Sequence, residues 1–412
     1  MEKGNSYSVT YIHAYVSFPS YHTLYILFAF VCSGINLLGN QSSTIVLAKN
    51  IMIQTDEPDD TSSSNIVCCN VFGNETLGDA LDVIVVVGVD KSASCDFRVK
   101  FPITHAGKRV LLKVNGNLCH GLEMVVTKET GTCKFTDGMS EKPSIKHFNN
   151  LVELLQEERN ELSYQILNSD GSLLGTAEAY IFLWKSHYSI VVVDIDGTIT
   201  RSNARGVWDT IVTENFEYVH GNVCLFFQTV IKEDIRVVYL TSRTISMARA
   251  TRRFLVALEQ DSHKLPLGPM LGHTGTLSKV LLSELVMKDI HQYKADSLFR
   301  QVVLVFAGAG RTNTSDLLRC AFGNTPTDSM AYEMAGIRLP HIYNIDKSST
   351  ISCLDRTYDQ PSTRSDTVEE RNHAPTMRLP RKRSDYSRLV GTTYKGYGDL
   401  NLLQNVQGKM NA

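Results

Sequence analysis

Between residues 65 and 138 apolar and polar positions trade places in short runs broken by turn residues. Asp96-Phe-Arg-Val-Lys-Phe101 alternates at period two, and so does Arg109-Val-Leu-Leu-Lys-Val114 ahead of the turn Asn115-Gly116-Asn117. Leu81 to Val87 is almost wholly apolar, and Leu122 to Thr127 and Cys133 to Phe135 continue the series. Period two sends neighbouring side chains to opposite faces, so these runs read as strands, and their spacing predicts an antiparallel sandwich. Leu162 to Leu167, the turn Ser169-Asp170-Gly171-Ser172 and Ala177 to Trp184 predict a hairpin. Just before it, Ser144 to Leu162 is polar and helical in part, with Leu151, Leu154 and Leu155 on one side. From Ser189 onward β-branched runs alternate with longer helical stretches, which predicts a parallel sheet with crossover helices. Val302 to Phe306 reads as a strand by propensity. After about Ser349 the chain is rich in Arg, Ser, Thr, Asp and Pro, and 354–412 is expected to be mostly disordered.

The amino-terminal end breaks this pattern. Leu24 to Val31 is apolar and is extended by Ile35, Leu37 and Leu38, but Ser33, Gly34 and Asn36 interrupt it. The run is too short for a confident membrane span. A signal or span, a membrane-surface anchor, and a reading frame begun too early stand as equal readings of it. An acidic, polar run from Asp56 to Ser64 then reads as a linker. The division expected is an extension over 1–64, a strand domain over 65–138, a linker over 139–161, a pair of strands over 162–185, a parallel-sheet domain over 186–350 and a tail over 351–412.

Composition narrows the choice of chemistry. A length of 412 residues allows two domains, and a net charge of −2 provides no global field for nucleic acid. Nine cysteines without a C-x-x-C pair argue against zinc and for reduced thiols in the cytosol. The cluster Arg381-Lys382-Arg383 is a solvated basic patch before it is a lipid contact or a nuclear signal.

The chemistry sits at Val191-Val192-Val193-Asp194-Ile195-Asp196-Gly197-Thr198. A β-branched strand ends there in two carboxylates one residue apart. The first can attack phosphorus and help hold Mg²⁺; the second can protonate the leaving oxygen and then activate water. Gly197 lets the backbone bend at that point. Three further stations belong to such a site, each at a strand tip. In Val237 to Arg243, the Thr241 hydroxyl suits a phosphate oxygen or a helix cap, and Arg243 suits phosphate or an acid. A lysine is needed to neutralise the first acid, and Lys279, Lys288 and Lys294 are the candidates. The turn Phe322-Gly323-Asn324-Thr325-Pro326-Thr327-Asp328 offers Asn324 and Asp328 to a cation that prefers oxygen, or is an ordinary Asn/Asp turn.

D-x-D-G-T is the signature of haloacid-dehalogenase-type phosphatases, and the chain resembles the lipins, Mg²⁺-dependent phosphatidate phosphatases. Asp194-Ile-Asp-Gly-Thr-Ile-Thr-Arg-Ser is similar to the lipin motif almost letter for letter. His220-Gly221, Leu240-Thr-Ser-Arg-Thr-Ile-Ser-Met-Ala and Leu265-Pro-Leu-Gly-Pro follow at similar places. Phe322-Gly-Asn-Thr-Pro-Thr-Asp, Ala331-Tyr332, Gly336-Ile337 and His341-Ile-Tyr-Asn-Ile-Asp look like the closing motifs, and Thr76-Leu-Gly-Asp-Ala-Leu-Asp-Val-Ile-Val resembles the amino-terminal lipin domain. The resemblance covers roughly 65–138 and 162–350. It implies an α/β plus β protein: a haloacid-dehalogenase-like Rossmannoid parallel sheet, with an immunoglobulin-like β-sandwich shared between the amino-terminal lipin domain and the strands before the catalytic part. It also implies a helix end at Val302 to Phe306, an insertion over 307–315 and a strand at Leu317 to Phe322.

By that resemblance Lys294 falls on the active-site lysine, and Thr241 stands for a usual serine. Asp194, Asp196, Thr198, Thr241 and Lys294 are the expected catalytic residues. Thr241, Ser242, Arg243 and Lys294 would meet the phosphate. Asp194, the Asp196 carbonyl and Asn324 would hold Mg²⁺, with Asp328 in support. The implied substrate is phosphatidate in a bilayer, converted to diacylglycerol and phosphate through an aspartyl-phosphate. The implied place is the cytoplasm, peripherally on the endoplasmic reticulum, with a possible nuclear pool. Departures exist: about sixty residues precede the lipin-like start, Ile66 to Gly73 is only a fragment of the family's amphipathic helix, Asn203 replaces a usual aspartate, and His273-Thr-Gly-Thr replaces a Ser-Pro stretch. The leucine-rich co-activator motif of some lipins is missing after Gly206. A lipid sensor without catalysis, and a phosphatase for another substrate, are the rival readings.

Overall fold

The computed structural model describes residues 76–201, 218–232, 234–275, 290–354, 375–378, 383–386, 389 and 391–411. The expectations for the apolar run at 24–38, the helix fragment at 66–73, Asn203 and the basic pair Arg381-Lys382 lie outside them.

The strand-rich part forms one seven-stranded sheet: β1 (Val83–Val87), β2 (Ser92–Ser94), β3 (Arg109–Val114), β4 (Asn117–Val126), β5 (Cys133–Phe135), β6 (Glu158–Leu167) and β7 (Leu173–Lys185), in the order β2-β1-β7-β6-β3-β4-β5. Alternation decides the facing. In β3, Val110, Leu112 and Val114 are buried while Arg109 is exposed, and the expected turn joins β3 to β4 with Asn115 and Gly116 both left-handed (φ 49° and 81°). The wholly antiparallel expectation fails at β1, which runs parallel to β7 and is buried along most of its length.

The expected strand at Asp96 to Phe101 also shrinks. Phe97, Val99 and Phe101 do face inward, but only Val99–Lys100 pairs, with Asp79–Ala80. Side-chain facing was readable there, and pairing was not. The bridges Thr76↔Thr176 and Lys100↔Thr132 flank that short ladder and roll the sheet towards itself. Phe97 and Phe135 meet edge-on inside it, 5.4 Å apart. The stretch 139–161 is not a linker. Helix α1 (Ile145–Val152) buries Phe148 and Leu151, which are one helical turn apart, and β6 already starts at Glu158.

The second sheet also has seven strands: β8 (Ser189–Asp194), β9 (Ile235–Thr244), β10 (Met270–His273), β11 (Leu318–Gly323), β12 (Ile342–Ile345), β13 (Ile351–Cys353) and β14 (Thr393–Tyr394), in the order β10-β9-β8-β11-β12-β13-β14. The first five are parallel, and β13 and β14 extend the edge antiparallel. Strand β8 is buried at every position, as a central strand covered on both faces must be. Ile190 and Val192 join the core shared with the rolled sheet, while Val191 and Val193 face Phe226, Phe227 and Phe254. The helices around it are α2 (Val223–Val230), α3 (Ala248–Ala257), α4 (Ile290–Leu298), α5 (Pro326–Met334) and α6 (Leu400–Asn411). Val302 to Phe306 is helical despite its β-branched composition, because it prolongs α4 and buries Val302, Val305 and Phe306.

The tail departs most from expectation. Residues 391–411 contain β14 and α6, and Tyr394, Tyr397, Leu402 and Val406 are buried. Leu402 and Val406 are four apart and therefore share one helix face. Polar composition hid that stripe.

Candidate active site

Parallel pairing brings three strand tips together. Asp194 is in register with Leu240, and Val193 with Phe322, so Asp194 lies between the Thr241 end of β9 and the Gly323 end of β11. Neighbouring strands are about 4.8 Å apart, which puts all three within reach of one phosphate. Beyond Asp194 the chain coils tightly. The N–H groups of Thr198, Ile199 and Thr200 all donate to the Ile195 carbonyl, at 3.3, 2.9 and 3.1 Å. Gly197 takes φ +83° in that coil, a conformation that disfavours a side chain.

Each Asp194 oxygen has its own partner. Lys294 Nζ donates to Oδ1 at 2.6 Å, and the Thr198 hydroxyl donates to Oδ2 at 3.1 Å. Lys294, in α4, also donates to Asp328 Oδ1 at 2.6 Å. Asp328 turns its other oxygen to the start of α5. There Oδ2 accepts from Thr325 N at 3.0 Å and Thr325 Oγ1 at 2.7 Å, while Thr325 Oγ1 accepts from Asp328 N. That is a capping box with Pro326 inside it, so Asp328 serves as cap and as counter-ion together. A Cβ on Gly323 would sit 2.7 Å from the Asp328 Cβ; glycine is what lets the acid come in so close. The Asn324 N–H also donates to Asp328, at 3.3 Å.

Asp196 occupies a second cluster. Arg243 Nε donates to Oδ2 at 2.9 Å and Nη2 to Oδ1 at 2.6 Å, with the Thr241 hydroxyl on Oδ2 at 3.4 Å. Arg243 is anchored behind by Thr251 Oγ1 at 3.1 Å. Thr241 and Arg243 project to one face of β9, and Ser242, half-buried between them, projects to the other. Of the residues expected to meet phosphate, Thr241 and Arg243 thus gather on Asp196 and Lys294 on Asp194 and Asp328, while Ser242 is turned away from both acids. Among the residues that sequence reasoning missed are Thr325, which organises Asp328, and Tyr397, whose hydroxyl donates to the Thr198 carbonyl at 3.0 Å.

Burial pushes the Asp194 carboxyl up to about 7; Lys294 pulls it down, and the charges of Asp328 and Asp196 push it up further. Burial works against the Lys294 ammonium, but Asp194 and Asp328 outweigh it and keep its pKa above the ordinary lysine value. Asp328 is held below the ordinary carboxylate value: burial opposes this, and Lys294 and Thr325 prevail. Three acids face two cations in these pairs, Asp194, Asp196 and Asp328 against Lys294 and Arg243, which leaves one negative charge over once all three acids are ionised. Excess negative charge and oxygen donors fit a hard cation such as Mg²⁺. Among the described residues no group of three or more His, Cys, Asp or Glu side chains forms a metal cluster, so such an ion would draw on carbonyl and amide oxygen as well.

The sequence is similar to several known proteins over part of its length. Nuclear elongation and deformation protein 1 of Schizosaccharomyces pombe is 29% identical over 198 residues, 48% of this chain and 28% of that protein. Phosphatidic acid phosphohydrolase 1 of Saccharomyces cerevisiae is 28% identical, over 47% of this chain and 22% of its own length. Human phosphatidate phosphatase LPIN1 is 30% identical, over 41% and 18%. The matches thus span between 18% and 28% of the length of these relatives. The profile of the LNS2 (Lipin/Ned1/Smp2) family covers residues 142–369, more than half of the chain, including both carboxylates at the β8 tip, Lys294 and the Asn324 turn. With both the site and this match in view, the chain belongs to the LNS2 (Lipin/Ned1/Smp2) family.

Proposed function

We propose that this chain is a Mg²⁺-dependent phosphatidate phosphatase, releasing phosphate and diacylglycerol at a membrane surface. The observation that carries the reading is the tethering of both Asp194 oxygens, by Lys294 and Thr198, at the junction of three strand tips. On this reading the parallel sheet is haloacid-dehalogenase-like, and the rolled sheet is its immunoglobulin-like companion.

Asp194 Oδ attacks phosphorus in line. The bond from phosphorus to the diacylglycerol oxygen breaks, and Asp196 gives that oxygen a proton. Asp196 then takes a proton from water, which attacks the aspartyl-phosphate and frees phosphate. Thr241 and Lys294 stabilise the equatorial oxygens, where charge spreads in the transition state. Arg243 must pass from Asp196 to phosphate for the acid to act. The Asp194 carboxylate, the Asp196 carbonyl and the Asn324 side chain would hold Mg²⁺, supported by Asp328; the ion supplies charge neutralisation at the transferring group.

No helix among the described residues is long and apolar enough to cross a membrane. The reading is of a peripheral enzyme in the cytoplasm, acting at the endoplasmic reticulum, with a nuclear pool. One observation favours a second reading, a phosphatidate sensor without turnover: Arg243 occupies both oxygens of Asp196. Phosphate release from phosphatidate liposomes, with and without Mg²⁺, separates the two. Mg²⁺-dependent release that disappears in Asp194→Asn supports the enzyme. Liposome binding with no release by the wild-type chain supports the sensor.

A further inference from the structure

Tyr397 is a buried phenol that the scheme above leaves unused. It is 4% exposed and lies past residue 369, where the family match ends. Its ring packs against both Phe226 and Phe227, with centroids at 5.2 and 5.4 Å, and meets the His220 ring in a T-shaped pair at 6.2 Å. The segment that carries it is held on both sides. Strand β14 pairs with β13 just before it, and α6 follows, with Asn405 accepting from the Tyr343 hydroxyl at 2.7 Å. A Cβ on Gly398 would stand 2.7 Å from the Asn222 side chain, so the segment is pressed against the α2 end.

From this strap a single file of contacts leads to the nucleophile. The Tyr397 hydroxyl donates to the Thr198 carbonyl, the Thr198 hydroxyl donates to Asp194 Oδ2, and Lys294 takes Asp194 Oδ1. Within the coil, the three N–H groups that close on the Ile195 carbonyl anchor its start. The Thr198 carbonyl is gripped from 199 residues away in sequence.

We infer that Tyr397 is a positioning residue for phosphoryl transfer: it fixes the Thr198 main chain, and through the Thr198 hydroxyl it fixes which Asp194 oxygen faces phosphorus. The inference rests on the phosphatase reading. A carboxylate tethered at one oxygen only can rotate about its Cβ–Cγ bond, and in-line attack loses about 10²-fold for a displacement near 1 Å. A tether acting at second hand affects turnover more than binding, because phosphatidate does not touch it.

The test uses the full chain with Mg²⁺ and phosphatidate in mixed micelles. Tyr397→Phe keeps the ring and removes only the hydroxyl. It is expected to lower kcat about tenfold, with KM within about twofold of wild type. Thr198→Val removes the tether itself, and Tyr397→Phe added to it is expected to lower kcat no further, since a residue acting through Thr198 has nothing left to act on. Wild-type kcat in Tyr397→Phe overturns the inference. Losses that multiply in full in the double variant overturn it too, because they mark Tyr397 as an independent structural prop. Absence of phosphate release by the wild-type chain overturns the phosphatase reading and the inference with it; the wild-type arm alone reports that failure.

Discussion

Asp82 and Asp194 are equally buried, at 2% and 3% exposure, and each faces a cation. Asp82 accepts from the main-chain N–H of Tyr180 in β7 and of Met270 in β10, each at 3.0 Å, and pairs with Arg252 Nε at 2.9 Å. Arg252 also donates to the Ala80 carbonyl. This acid pins the rolled sheet to the parallel one with backbone partners that cannot swing away. Asp194 has only side-chain partners among those that hold its oxygens, an ammonium and a hydroxyl, and a second acid shares the ammonium. The difference separates a staple from the acid we propose as the reagent. Main-chain partners fix a carboxylate for good, while side-chain partners at a strand tip can be traded for a phosphate.

Breaking the reagent has the largest expected effect. Asp194→Asn keeps the shape and one acceptor but loses the proposed nucleophile, so kcat on phosphatidate is expected to fall by about 10³-fold or more. The melting temperature stays within a few degrees, because the substitution also relieves the excess negative charge beside Asp328. A variant with near-normal turnover would end the assignment.

Breaking the staple comes next and inverts the readout. Asp82→Asn leaves Arg252 buried without its counter-charge, which costs about 3–5 kcal/mol. At about 2–4 °C per kcal/mol, thermal unfolding should move down by roughly 6–20 °C, while the kcat of the molecules still folded changes little. Lost turnover at unchanged melting temperature would mean that Asp82 is no staple. Replacing Asp82 and Arg252 together by apolar residues should recover much of the loss.

These two acids also differ in how far the sequence announced them. Asp194 stood out because a β-branched run stopping at two acids is rare, and the parallel pairing around it, though not the strand order, followed from alternating runs and helices. Asp82 carried no such mark; it is one acid inside an apolar run, and its partners lie 98 and 188 residues away. Lys294 was one of three lysines until a family resemblance chose it, since a helix-borne cation has no local signature. Ser242 and Arg243 looked equally placed for phosphate, and only the pleat of β9 sends them to opposite faces. Tyr397 was missed because 354–412 reads as polar, and its contact with Thr198 is a tertiary fact. Local periodicity reports which way a side chain faces. It says little about what comes to meet it.

Asp79 refines the contrast by an effect smaller than the others. It lies three residues before Asp82, within the field of Arg249, Arg252 and Lys100, yet burial pushes its carboxyl from 3.8 up to about 6 against the pull of all three. Its folded pKa is thus above its unfolded one. The stability it contributes is complete below about pH 4 and drains away as pH rises through about 6, because the folded state must then hold a charge that burial disfavours. Asp79→Asn mimics the protonated acid at every pH. At pH 7.5 it should stabilise the fold by about 1–2 kcal/mol, less than the full shift implies because Asp79 is partly exposed, and raise the melting temperature by roughly 2–8 °C. At pH 4 the gain should disappear, since wild-type Asp79 is then protonated in the folded state. Subtracting wild type from variant at each pH cancels the other carboxylates. A gain of equal size at both values would trace the effect to something other than the charge, and would place Asp79 with the staple next to it instead of against it.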